Sequence, residues 1–240
     1  IMGARGDLGL ELPAEEVPLI QKKIIEKCLV CAKPVIVATQ MLDSMIRNPR
    51  PTRAEVADVA AAVIDHTDAV MLSGETAFGQ YPVEACCMMS KIINKIEESP
   101  YDNAAVKNIA SENTLADLTA EITSEEALAK NACLLAYKVG ARLILAATLS
   151  GSTGRLISKF RPEIAIAVTT NSEIVARQML LSWGVKPFVI SPCRTMEELI
   201  SLAVKKVKAE KLANPGDKIV IIAGEPVGRA GANLLKVQKV

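Results

Sequence analysis

Four short stretches carry residue types that could do chemistry. ARGDLG (residues 4–9) holds Asp7 between Gly3, Gly6 and Gly9, with Arg5 just ahead of it. A carboxylate oxygen suits a hard cation such as Mg²⁺, which takes one or two carboxylates and completes its shell with water and substrate oxygens. The glycines let backbone N–H groups approach an anionic ligand closely. TQML (residues 39–42) offers the Thr39 hydroxyl, able to hydrogen-bond a carboxylate or relay a proton through water. SGET (residues 73–76) brings Ser73 and Glu75. The fourth, TLSGST, sets Thr148, Ser150, Ser152 and Thr153 around Gly151, so that several hydroxyls and N–H groups can converge on a phosphate at a helix start. A serine-rich helix cap with no ligand remains an open reading of that stretch.

Such groups act together only if parallel strands deliver them to one edge, because reactive residues of α/β sheets gather where strands end and loops begin. The pattern supports this. Apolar runs at residues 1–4, 34–38 (PVIVA) and 69–72 (AVML) lead directly into the first three stretches. Continuously apolar strands of this kind are buried on both faces of a parallel sheet. Between them, residues 14–31 and 52–65 have helical spacing, the latter opening on Thr52 and Glu55 as a capping box. Pro82 leads into a further helix to about Lys95. From Glu98 to Thr119 the periodicity fades into a linker, which predicts domains at residues 1–98 and 120–240. The second series predicts helices at 124–138, 153–160, 172–182 and 195–211. Its strands are expected at 142–148, 164–169, 186–190, 218–223 and 233–239, a doubly wound α/β domain with a topological switch point.

The bulk composition narrows the function. Half of the 240 residues are apolar and only 3% aromatic, so the core is aliphatic. A formal net charge of +1 gives no electrostatic footprint for nucleic acid or an anionic membrane. No apolar run reaches the roughly 18–20 residues of a membrane span. The six cysteines are scattered as in reduced, cytoplasmic proteins. Cys28 and Cys31 form a lone CxxC, read as two small residues on one helix face. A structural metal site needs about four soft ligands, and His66 is the sole histidine.

The strings ARGDLGLELPAEEV, KPVIVATQMLDSM, NPRPTRAEVADVA and DAVMLSGETAFGQYP together resemble pyruvate kinase, as do ATLSGSTGRLISKFRP and GEPVGRAGANLLKV farther along. The resemblance implies that ARGDLG follows the sixth strand of a (β/α)₈ barrel. The chain is then expected to hold about strands six to eight of that TIM barrel and the α/β C-terminal domain, without the front half. Three barrel strands cannot close, so the first hundred residues are expected to lean on the C-terminal domain or on other chains.

The family transfers the phosphoryl group of phosphoenolpyruvate to ADP, giving pyruvate and ATP. Carried over to matching positions, the resemblance implies that Asp7 is an acidic ligand of Mg²⁺ (or Mn²⁺). Backbone amides around Ala4, Gly6 and Asp7 hold the substrate carboxylate, and Arg5 orients the turn through a salt bridge. Thr39 lies against the enolate and shares in proton relay, with Ser73 and Glu75 supporting it. The phosphoryl-stabilising lysine, the second acidic ligand, the nucleotide site and the K⁺ ligands belong upstream, so the chain alone is expected to be inactive. Thr148, Ser150, Gly151, Ser152 and Thr153, with Arg229 as a second phosphate partner, would bind a phosphorylated sugar or nucleotide effector. A stand-alone sugar-phosphate-binding regulatory module is the alternative function. The family is usually a homotetramer, and NPRPTRAEVADVA matches its barrel-side interface. Gly3, His66, Phe78 and Gln80 depart from the usual pattern, and the tryptophan that some relatives place near the sugar is lacking.

Overall fold

The computed structural model describes residues 1–101, 122–224, 227 and 231–240. It divides into two compact units, Ile1–Ala104 and Ala105–Val240. The linker expected at 99–119 falls almost entirely outside the described residues.

In the first unit, β1 (Met2–Ala4), β2 (Ile36–Ala38) and β3 (Ala69–Met71) form a parallel sheet in the order β1-β2-β3. Gly3 pairs with Val37, and Val37 with Val70, so the carboxyl ends of all three strands emerge side by side. Short helix α1 (Arg5–Glu11) follows β1 directly, and α2 (Val17–Val30) returns the chain to β2. After β2 comes a 3₁₀ turn (Asp43–Ile46), then α3 (Arg53–Ile64). Thr52 and Glu55 close a reciprocal capping box at the start of α3. The chain leaves α3 through His66, which takes a left-handed backbone with φ of +62°. After β3 come the single turn α4 (Gly74–Ala77) and the long α5 (Pro82–Glu97).

Packing of this unit centres on β2 and the segment after it. Val37, Met41, Leu42 and Met45 are essentially inaccessible and join Ile25, Val59 and Ala62 in one cluster. Burying each large side chain contributes roughly 1.5–3 kcal/mol. The flanking strands differ from the expectation of burial on both faces: Met2 is exposed, and β3 is only half-buried throughout. The reason is positional, because β1 and β3 are the edges of a three-stranded sheet. A Cβ at Gly3 would meet only the Ile36 carbonyl, at 3.7 Å, an ordinary van der Waals contact.

In the second unit, α6 (Ser124–Val139) is capped by the Thr123 hydroxyl and ends on left-handed Gly140. It is followed by β4 (Leu143–Ala147), α7 (Ser152–Lys159), β5 (Ala165–Thr170), α8 (Glu173–Met179) and β6 (Val185–Val189). Helix α9 (Met196–Ala209), β7 (Lys218–Ala223) and β8 (Leu234–Lys239) complete it. The strand order is β6-β5-β4-β7-β8, so the winding reverses between β4 and β7. Alternation along β4 fills both faces: Ile144 and Ala146 join the cluster under α6 and α7, while Leu143 and Leu145 join that under α9. The last strand, β8, runs antiparallel to β7. Residues 224–233 are too few for the crossover of a dozen or more residues that a parallel return requires. No helix among the described residues is long and apolar enough to cross a membrane.

Candidate functional site

The three strand ends of the first unit are tied to one another by side chains. Thr39 and Gln40, immediately after β2, both have left-handed backbones, with φ of +71° and +53°. A β-branched residue rarely adopts this region, and each such residue stores about 1–3 kcal/mol unless its surroundings hold it there. Arg5 supplies one restraint. One terminal nitrogen donates to the carbonyls of Thr39 (2.7 Å) and Gln40 (3.2 Å), and the other pairs with Asp58 of α3. The Arg5 side chain is 12% exposed, and its bonds to Asp58 and the Thr39 carbonyl are partly buried.

The Thr39 hydroxyl accepts the N–H of Gly6 at 3.0 Å. This bond joins the hydroxyl after β2 to the turn that carries Asp7. Asp7 sits in the first turn of α1 with its side chain exposed to solvent. A carboxylate there gains from the partial positive charge of the helix start. Across the sheet, Glu75 is buried at 2% exposure and bridges the other two loops. Its two oxygens accept the N–H groups of Leu42 (3.0 Å) and Ser73 (2.8 Å). The Ser73 hydroxyl makes no cap bond to α4.

The arrangement therefore brings Arg5, Gly6, Thr39, Ser73 and Glu75 into one network, with Asp7 adjoining it. One residue and one further contact escaped the sequence reading. Asp58 anchors Arg5 from α3, and Glu55 reaches past its capping box to take the N–H and hydroxyl of Ser44, at 2.7 and 2.6 Å. Burial alone would raise the Glu55 carboxyl, but hydrogen bonds from Ser44 and then Thr52 outweigh it and hold the group below its usual value.

Among the described residues, no group of three His, Cys, Asp or Glu side chains is placed to hold a metal. One exposed hard carboxylate fits a Mg²⁺ that keeps most of its shell as water and substrate oxygens, and does not fit a closed protein cage.

In the second unit, the carboxyl ends of β4, β5, β6 and β7 surround a cavity of about 320 Å³. It lies at the strand-order reversal, the usual ligand crevice of open α/β sheets. Thr148, Ser150, Ser152 and Thr153 line one side, and Gly231 reaches it from the β7–β8 connection. Gly151 takes φ +80° and donates its N–H to the Thr148 hydroxyl at 3.1 Å. A Cβ there would fall 2.6 Å from the Met179 sulfur, so a side chain would strain the left-handed backbone and push Met179 aside. Gly151, at the N-cap of α7, offers no side-chain acceptor; the Ser152 N–H donates instead to the Ser150 hydroxyl at 3.4 Å. Arg229 lies outside the described residues.

Comparison with known proteins places the chain. The family model described as pyruvate kinase, barrel domain, matches residues 1–86, and the one described as pyruvate kinase, alpha/beta domain, matches residues 126–238. A pyruvate kinase from Clostridium acetobutylicum is 46% identical over 242 residues, covering all of this chain and 50% of that protein. One from Geobacillus stearothermophilus is 47% identical over 238 residues, covering 99% of this chain and 39% of that one. The chain thus spans half or less of the length of these relatives. A crystal structure of a pyruvate kinase from Cryptosporidium parvum superposes with a TM-score of 0.87 at 42% identity, covering 100% of this chain and 46% of that one. A (β/α) barrel segment followed by a doubly wound domain, matched along its whole length by these proteins, belongs to the pyruvate kinase family.

Proposed function

We propose that this chain forms part of a cytoplasmic pyruvate kinase, contributing one side of the site where phosphoenolpyruvate gives up its phosphoryl group to ADP. The observation that carries the reading is the bond from Gly6 N–H to the Thr39 hydroxyl. Through it, an exposed carboxylate and a strained threonine from adjacent strands share one edge of the sheet.

In this reading Asp7 holds Mg²⁺ or Mn²⁺, which would neutralise charge on the substrate oxygens. The start of α1, with Ala4 and Gly6, faces the substrate carboxylate. Because the Gly6 N–H is engaged by Thr39, an incoming carboxylate must share or displace that bond. Phosphoryl departure leaves an enolate, which becomes pyruvate on gaining a proton at carbon; Thr39, backed by Ser73, belongs to that relay. Arg5 acts by fixing the two carbonyls beneath Thr39. Catalysis of this kind rests on positioning and charge neutralisation. The family resemblance further implies a second acidic ligand, K⁺ ligands and nucleotide contacts supplied from outside this chain.

The cavity of the second unit is proposed as an effector site. The hydroxyls of Thr148, Ser150, Ser152 and Thr153 take the phosphate of a sugar or nucleotide, and Arg229 is its second partner. A homotetramer, with α3 at one interface, is the proposed assembly.

Complementation tests the enzyme reading. The chain is mixed with the upstream segment of the Geobacillus stearothermophilus relative and assayed for ATP formation from phosphoenolpyruvate and ADP. Activity should need both pieces and vanish with Asp7→Ala. Activity indifferent to Asp7→Ala would overturn the assignment.

A further inference from the structure

Among the described residues, Glu75 is the only buried carboxylate. A charge taken out of water ordinarily needs a cation or a full set of hydrogen-bond donors. Glu75 has two backbone N–H groups, one from each of two loops 31 residues apart in sequence, Leu42 and Ser73. Leu42 is fully buried and lies three residues after Thr39. The left-handed pair Thr39–Gln40 is therefore held at both ends. Upstream is the final ladder pair, Ala38 with Met71. Arg5 holds the carbonyls of the pair itself, and Glu75 fixes the N–H at its downstream end.

Local packing keeps Glu75 in place. Gly79 lies so close that a Cβ there would fall 2.5 Å from the Glu75 carbonyl. The Gln80 N–H donates to Ile46 at 2.9 Å, locking the loop after β3 onto the 3₁₀ turn after β2.

We propose that Glu75 is a positioning residue. By anchoring Leu42 to the loop after β3, it keeps Thr39 in the left-handed conformation that offers its hydroxyl to Gly6 and the Asp7 turn. What that hydroxyl does in catalysis rests on the pyruvate kinase reading; the mechanical coupling does not. Glu75→Gln preserves shape but turns one acceptor into a donor facing an N–H.

Amide hydrogen exchange, read by NMR on the whole 240-residue chain, tests the coupling. In Glu75→Gln, the Gly6 amide should exchange about tenfold faster, together with Leu42 and Ser73, while amides of β2 keep their protection. Faster exchange at Leu42 and Ser73 with Gly6 unchanged would overturn the proposal. Should the variant open the whole unit, thermal midpoints decide. Glycine tolerates a positive φ, so the loss in Tm caused by Glu75→Gln should shrink by at least about half in a Thr39→Gly background. An equal loss in both backgrounds would overturn the proposal. Neither readout involves phosphoenolpyruvate or Mg²⁺, so failure here leaves the complementation result standing, and the reverse also holds.

Discussion

Replacing Glu55 with glutamine perturbs the clip between α3 and the 3₁₀ turn that supports the Thr39 loop. The carboxylate accepts four hydrogen bonds: Ser44 N–H (2.7 Å), Ser44 hydroxyl (2.6 Å), Thr52 N–H (2.7 Å) and Thr52 hydroxyl (3.0 Å). Glutamine keeps the length but loses the charge and presents an NH₂ where an acceptor is needed. Charge-assisted bonds contribute roughly 1.5–3 kcal/mol each, yet the hydroxyls can turn to water. Discounting for that escape and for partial exposure leaves about 2 kcal/mol, which for a unit of this size lowers Tm by roughly 10 °C. The sign with pH is fixed by the depressed folded value of Glu55. A carboxyl lowered on folding stabilises above its unfolded value, 4.5, and that contribution is lost as pH falls through the folded value. Glutamine does not titrate, and other groups cancel between the two proteins. Scanning calorimetry should therefore show the full gap in Tm at pH 7 and a narrowing gap below pH 4.5. A gap that is absent at pH 7, or unchanged down to pH 3, would refute the reasoning.

Further outcomes follow from the second unit. Gly151→Ala forces a side chain into the left-handed region against Met179 and should destabilise by about 1–3 kcal/mol, seen as a lower urea midpoint. Ser152→Asp places a negative charge at the α7 start and should weaken binding of hexose phosphates by at least about tenfold in calorimetry; unchanged binding would contradict the effector site. Burial pushes the Cys133 thiol up to about 12, so maleimide at pH 8 should label exposed Cys31, Cys86 and Cys87 but spare Cys133 until denaturant is added.

Much of the fold was legible because its signals are local. Apolar runs between helical periods mark most strands of both sheets, and Thr52 with Glu55 declares the start of α3 three residues apart. The reversed β8 was less plain, since LLKVQK pairs equally well in either direction and only the short connection before it decides. The 3₁₀ turn and α4 are single turns, too short to show a period. The candidate site was visible as residue types at strand ends but not as a mechanism of support. Threonine disfavours positive φ, so nothing in TQML announces a left-handed pair. Asp58 meets Arg5 across 53 residues of sequence, a pairing that no spacing rule reveals. Glu75 ordinarily reads as a surface residue, and its burial depends on N–H groups supplied by a separate loop.

The central claim is that Asp7, tied through Gly6 to the Thr39 hydroxyl, presents a carboxylate to a divalent cation. Titration of the ¹⁵N-labelled chain with Mn²⁺ tests it most directly, because a paramagnetic ion broadens only the amides around it. The account predicts selective loss of the Gly6, Asp7 and Thr39 signals, abolished by Asp7→Asn. Broadening that spares these amides, or that survives Asp7→Asn unchanged, would contradict it.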